Sequence, residues 1–332
     1  MPINSRGFFL LCICSALLVL AGCSTNQSLE NAAASVTPAP AEVCAPIGSF
    51  VPAGGNSTGY GELAVDVRDG GSGQIVRGLT TADFDLASGT QALQVASVEF
   101  IANAPQSVGF VIDVSGSMQP KMAQMKSAIG AIVDRLNPGD DVLLVGLAKK
   151  PYLLVSGTTD HNLIVERVDG LKAFGRTDLY DGMISGMSHL VGLCFTTKTL
   201  VVISDGVDDA SVAGNSQVIE QARDDGIQIG AIGIGDIVLN PASRSSLPWS
   251  IRAIDVVDVS SLEAITDPTG GRTVHLMMSD DESQLKAAAA SIAEGPGVYV
   301  VEFARPPGIA SNAPVSVAIK GHPDYVIHSS SQ

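Results

Sequence analysis

Positive charge is what this sequence has least of. Its 332 residues hold 19 lysines and arginines against 34 aspartates and glutamates, a formal net charge of −15. So anionic a surface repels phosphate backbones, and no basic stripe offsets it, which excludes nucleic acid as a partner. Aromatic residues are sparse at 5%, with a single tryptophan. The histidines, at 161, 189, 275, 322 and 328, show no zinc-site spacing. No apolar run reaches the roughly 20 residues that a membrane-spanning helix needs.

What apolar run there is lies at the start. Arg6 precedes Phe8 to Leu20, a length that suits the apolar region of an export signal. Leu20-Ala21-Gly22-Cys23 then Ser24 resembles the lipobox of bacterial lipoproteins. The resemblance implies a signal peptide over 1–22, lipid attached to Cys23, and anchorage in the cell envelope. Ser24 after the cysteine favours the outer over the inner membrane. Cleavage would remove Arg6 and no acid, leaving a chain still more anionic.

Of five cysteines, Cys12 and Cys14 fall in that signal and Cys23 takes the lipid. Cys44 and Cys194 remain, and an oxidising envelope permits a disulfide between them or two separate thiols. Residues 23–59 are rich in Ser, Thr, Asn, Ala, Pro and Gly and bury too little to order themselves, so they read as a flexible tether.

From Gly61 the pattern changes. Glu62 to Arg68 alternates apolar and polar residues as a half-buried strand does, and Phe84 to Ala87 and Leu93 to Phe100 read as further strands. The same signature returns at Val298 to Phe303 and Val315 to Ile319. Segments 60–104 and 296–328 are therefore expected to form a small β-sandwich-like accessory domain around a central insert, 105–295.

That insert alternates buried-type strands (Val108 to Ile112, Val142 to Leu147, Leu200 to Ile203, Ile227 to Ile234) with helical patterns. Met122, Met125, Ile129, Ile132, Val133 and Leu136 recur at helical spacing before Pro138-Gly139 ends the helix. Such alternation predicts an α/β fold with a doubly wound, mostly parallel sheet, whose ligands gather at the carboxyl ends of its strands.

The polar residues fall at those ends. Val108 to Ile112 runs into Asp113-Val114-Ser115-Gly116-Ser117, which sets three short oxygen side chains on one tight loop. Leu200 to Ile203 runs into Ser204-Asp205-Gly206, and Gly175-Arg176-Thr177-Asp178-Leu179 offers another hydroxyl. Hydroxyls with few carboxylates suit a hard divalent cation, Mg²⁺ or else Mn²⁺ or Ca²⁺. Asp208-Asp209 reads as a second cation site or as a solvated acidic turn.

Asp-x-Ser-x-Ser, then Thr, then Asp resembles the metal-ion-dependent adhesion site (MIDAS) of the von Willebrand factor type A (vWA) family, whose fold is Rossmann-like. The loop 175–182, Ile203-Ser204-Asp205-Gly206 and Ile232-Gly233-Ile234-Gly235 agree with it. Gly78 to Phe84 resembles the segment before the metal loop in the bacterial VWFA-related subgroup. The resemblance implies a metal held by Asp113, Ser115, Ser117, Thr177 and Asp205, its shell completed by an Asp or Glu of a protein partner. It implies a binding module and not an enzyme. Two other functions stay open: an envelope scaffold with a fold-stabilising metal, and a Mg²⁺-dependent hydrolase. The second lacks a histidine in the metal loops and a Gly-x-Ser-x-Gly setting.

One departure stands out. Residues 237–258 are additional before what reads as the last helix, Ser261 to Ile265. They carry Trp249 and Arg252, which line a partner-binding loop or fill a local core.

Overall fold

The computed structural model describes residues 59–239, 256–310 and 312–330. The export signal and most of the tether, with Cys23 and Cys44, lie outside the described residues. So do Trp249 and Arg252 of the insert.

Three strands come first: β1 (Tyr60–Asp69), β2 (Phe84–Ser88) and β3 (Gln91–Ile101). The chain then enters the α/β layer with β4 (Ser107–Asp113), α1 (Met122–Val133), β5 (Asp141–Leu147), β6 (Pro151–Thr158), α2 (His161–Asp169) and α3 (Leu179–Leu190). It continues through β7 (Lys198–Ser204), α4 (Asn215–Asp224), β8 (Ile227–Ile234), β9 (Ile237–Val238) and β10 (Val256–Val257). The layer ends with α5 (Val259–Thr266), β11 (Thr273–Leu276) and α6 (Glu282–Ala293). Three more strands follow: β12 (Val298–Ala304), β13 (Ser316–Ile319) and β14 (Tyr325–Ser330).

The central sheet has the order β11-β8-β7-β4-β5-β6. Every pairing in it is parallel except that of β6, which returns antiparallel on β5. The fold is α/β and doubly wound. All seven residues of β4 are buried, because helices cover both faces. Leu285, Ala289 and Ile292 of α6 join Met125 and Ile129 of α1 and Ile164 of α2 on one face. Met183 and Leu190 of α3, Val218 of α4 and Leu262 of α5 cover the other. A Cβ on Gly182 would fall 1.9 Å from Leu147 Cδ2, so only glycine lets α3 approach β5 this closely.

From β4 the chain winds outwards to β5 and β6, then crosses to β7 on the other side and winds away through β8 to β11. The direction reverses between β4 and β7, and a crevice opens at the carboxyl ends of those strands.

Two features differ from the sequence expectations. The helix at Ser261 to Ile265 is present as α5 but is not the last, since β11 and α6 follow it. The edge strand β6 and helix α2 were not foreshadowed. The outer strands form a single sheet, β13-β2-β3-β12-β1-β14, around its own core of Leu63, Val65, Phe84, Tyr299, Val301 and Phe303. Strand β3 pairs with β2 through residues 91–93 and with β12 through residues 94–101, so it is shared between a β13-β2-β3 part and a β3-β12-β1-β14 part.

Cys194 is disulfide-bonded, and every other cysteine of the chain lies outside the described residues. Among the described residues no helix is long and apolar enough to cross a membrane.

Candidate metal centre

Strand β4 delivers Asp113 to the crevice, where it is fully buried. One carboxylate oxygen accepts from Ser115 N at 2.8 Å and the other from Ser204 Oγ at 2.7 Å. The first bond folds the loop back on its strand. The second ties the ends of β4 and β7 together. Burial, and next the charge of Asp205, push the Asp113 carboxyl up to about 7, against the lowering effect of these hydrogen bonds. A buried carboxyl whose proton affinity is raised by a neighbouring carboxylate is a place where a cation is missed.

Beyond Asp113 the chain is extended at Ser115 and then turns into a short 3₁₀ helix, Gly116–Lys121. Ser115 Oγ and Ser117 Oγ lie 3.1 Å apart, so two hydroxyls converge beside the carboxylate. The threonine loop is laid against this one: Phe174 N donates to Val114 O at 2.6 Å, and Gly116 N to Gly175 O at 3.1 Å. Thr177 follows two residues later, buried, with its N–H held by Asp209 Oδ1 at 3.0 Å.

Asp205 sits at the end of β7, buried, and its Oδ1 accepts from Val207 N at 3.2 Å. Gly206 has φ +77°, and a Cβ there would meet Asp258 O at 2.5 Å. The turn that aims Asp205 inward therefore requires glycine. The other oxygen of Asp205 is bound by a residue that sequence reading missed. Lys121 Nζ, wholly buried, lies 3.0 Å from Asp205 Oδ2 and 2.9 Å from Val256 O. The missed signal was spacing: Lys121, the residue just before α1, lies four residues before Met125 and eight before Ile129, in line with the buried stripe of that helix.

Asp113, Ser115, Ser117 and Asp205 thus gather at one crevice, and the Thr177 loop closes on it. Ser204 joins them through Asp113. The donor set is chemically that of a hard oxygen-seeking cation, two carboxylates with hydroxyls. Among the described residues no cluster of three His, Cys, Asp or Glu offers a different kind of metal site. Asp208 and Asp209 act as the acidic turn. Asp208 Oδ1 accepts from Leu179 N at 2.8 Å and Asp209 Oδ1 from Thr177 N, so both hold the threonine loop in place.

Several known proteins are similar to parts of this chain. Residues 108–207 match the family model for the von Willebrand factor type A domain. An uncharacterized protein of Borreliella burgdorferi is 28% identical over 186 residues, which cover 51% of this chain and 53% of that one. The chain thus spans about half the length of that relative. Among solved structures, a von Willebrand factor type A protein from Catenulispora acidiphila aligns with a TM-score of 0.46 at 13% identity, covering 83% of this chain and 74% of the other. Proximal thread matrix protein 1 from the mussel byssus, with a zinc-occupied MIDAS motif, aligns with a TM-score of 0.46 at 16% identity, covering 63% and 50%. Within the central α/β layer, residues 108–207 are thus similar to the von Willebrand factor type A domain.

Proposed function

We propose that this protein is a lipid-anchored component of the cell envelope that binds another protein through a divalent metal. Asp113, Ser115, Ser117, Thr177 and Asp205 would hold the ion, Mg²⁺ in the first instance. The observation that carries the reading is the meeting of two buried carboxylates and two converging serine hydroxyls at the point where the sheet reverses direction. A cation so held, mostly by neutral oxygens and water, supplies a Lewis-acidic point for an anionic oxygen. An Asp or Glu side chain of the partner is that oxygen.

The surroundings support a protein in that role. Seven large apolar side chains are exposed among the described residues, and five of them follow strand ends at the metal edge of the sheet: Phe174, Val212 and Met277 on loops, Ile237 and Val238 in the short strand β9. Exposed apolar residues gathered on one edge mark an interaction surface. Hydrolysis fits less well. A serine nucleophile needs a free base beside it, and the carboxylate that the Ser115 side chain meets, Asp113, is already bound by Ser115 N and Ser204 Oγ.

Capture of partners from solubilised envelopes in Mg²⁺ and in EDTA tests the reading. Partners retained in Mg²⁺ and lost in EDTA support it. Equal capture in both, with only the melting temperature changed, assigns the metal to fold stability instead.

The anchor has its own test. Cys23→Ser removes the thiol that lipid would modify, and stable anchoring takes more than one acyl chain. The variant is expected to leave the detergent phase almost entirely for the soluble fraction in a phase-separation assay. Unchanged membrane retention would exclude lipid at Cys23.

A further inference from the structure

The buried ammonium of Lys121 is expensive to hold. Removing a charge from water costs several kcal/mol even after relaxation, and a single ion pair seldom recovers it fully. A methionine at this position would continue the apolar stripe of α1 without that cost. The lysine instead reaches into the crevice and bonds one of the two carboxylates there, Asp205, and the carbonyl of Val256. Asp113, by contrast, is met by neutral donors, the amide and side chain of Ser115 and the hydroxyl of Ser204. The crevice therefore contains two carboxylates and one fixed cation, a formal charge of −1.

We infer that Lys121 is a positioning residue that sets how strongly the metal centre demands an anionic partner. The inference rests on the metal reading above. With Lys121 in place, a divalent ion leaves the centre with an excess of +1, which one partner carboxylate neutralises. Without Lys121 the two carboxylates would neutralise the ion themselves. The metal would then bind more tightly alone and attract the partner's acid less. Lys121 gives up metal affinity for ligand affinity. A purely structural lysine makes the opposite prediction, because its loss frees Asp205 to move and weakens the metal.

The test is calorimetry with Mn²⁺ at pH 8 on wild type, Lys121→Met and Lys121→Gln. Acetate serves as the anionic probe, followed through broadening of its methyl signal by the Mn²⁺-loaded protein. Both variants should bind Mn²⁺ about tenfold or more tightly, and should hold acetate at least about threefold more weakly than wild type. Metal affinity equal to or below that of wild type in a folded variant overturns the inference while leaving the metal site standing. A wild type that takes up no Mn²⁺ overturns both. Should Lys121→Met not fold, Lys121→Gln retains a hydrogen-bond donor in the same place. In wild-type protein, the lysine Cε resonance assigned to Lys121 should move on addition of Mg²⁺ and move again with acetate. A resonance indifferent to both also overturns the inference.

Discussion

Asp113→Asn should abolish metal binding and, with it, capture of the partner, while leaving the fold intact. The amide is close to the shape of the carboxylate and can still accept from Ser115 N or Ser204 Oγ, the two bonds that now hold the side chain. What it lacks is charge. Removing one of the two carboxylates nearest a divalent ion should weaken it by about a hundredfold or more, ~2.8 kcal/mol. Thr177→Ala deletes one neutral ligand, leaves both carboxylates, and should cost nearer tenfold. Calorimetry with Mg²⁺ and Mn²⁺, run beside capture assays, reads both links. Wild-type metal affinity in Asp113→Asn would remove this residue from the centre.

Acidity should mimic that substitution reversibly. In the metal-free protein the Asp113 carboxyl is held up at about 7 by burial and by the charge of Asp205. The folded protein thus binds this proton more tightly than the unfolded chain, whose carboxyl has the ordinary value of 3.8. The contribution to stability is fully present below about pH 4 and is lost as pH rises towards 7. Metal binding has the opposite dependence, since the ion needs the ionised carboxylate. Its affinity should climb by about tenfold per pH unit up to about 7 and then level off. Asp113→Asn has no such proton. At pH 8 its metal-free form should melt no lower than metal-free wild type. Melting curves from pH 4 to 8, with and without Mg²⁺, separate these trends, and a metal affinity flat across that range would contradict them.

The metal loops were legible in the sequence because each follows an apolar strand directly and spaces its oxygens by alternation. Asp113, Ser115 and Ser117 need no tertiary knowledge to be placed on one side of one loop. Other elements left weaker marks. Strand β6 is an edge strand that begins at Pro151 and is half-buried over its first residues, so neither continuous apolarity nor strict alternation marks it. Helix α6 presents Ala288 and Ala289 between Leu285 and Ile292 in the core it shares with α1, and alanine gives little periodic contrast. Lys121 was missed for a different reason. A lysine near a helix start reads as solvated unless its counter-ion is known, and Asp205 is distant in sequence. The alternation in β1 misled in the same way. Asp66 and Arg68 have the spacing of an outward polar face, yet both are buried, because that face of the accessory sheet lies against the α/β layer.

That buried pair carries the largest stability effect to be expected outside the metal centre. Arg68 Nε donates to Asp66 Oδ2 at 2.9 Å, and its Nη1 reaches Thr269 O at 3.4 Å across the junction with the α/β layer. Arg223 crosses the same junction in the other direction, from its Nη2 to Gly71 O at 2.7 Å. Arg68→Ala would leave the Asp66 carboxylate, now fully buried, without its counter-charge, and would open space at the seam. Breaking a buried pair from one side costs about 3–5 kcal/mol. In a chain of this size that lowers the melting temperature by roughly 10 °C. The pair is imperfect even when intact, since Asp66 Oδ1 is buried with no hydrogen-bond partner among the described residues. Replacing both members with apolar residues of similar volume, Asp66→Leu with Arg68→Met, should therefore recover most of the loss, because no charge is left stranded. Denaturant melts of the single and double variants decide the matter. A single variant as stable as wild type would mean that the carboxylate finds water at the seam. A double variant no better than the single one would mean that Arg68 acts through its bond to Thr269 more than through its charge.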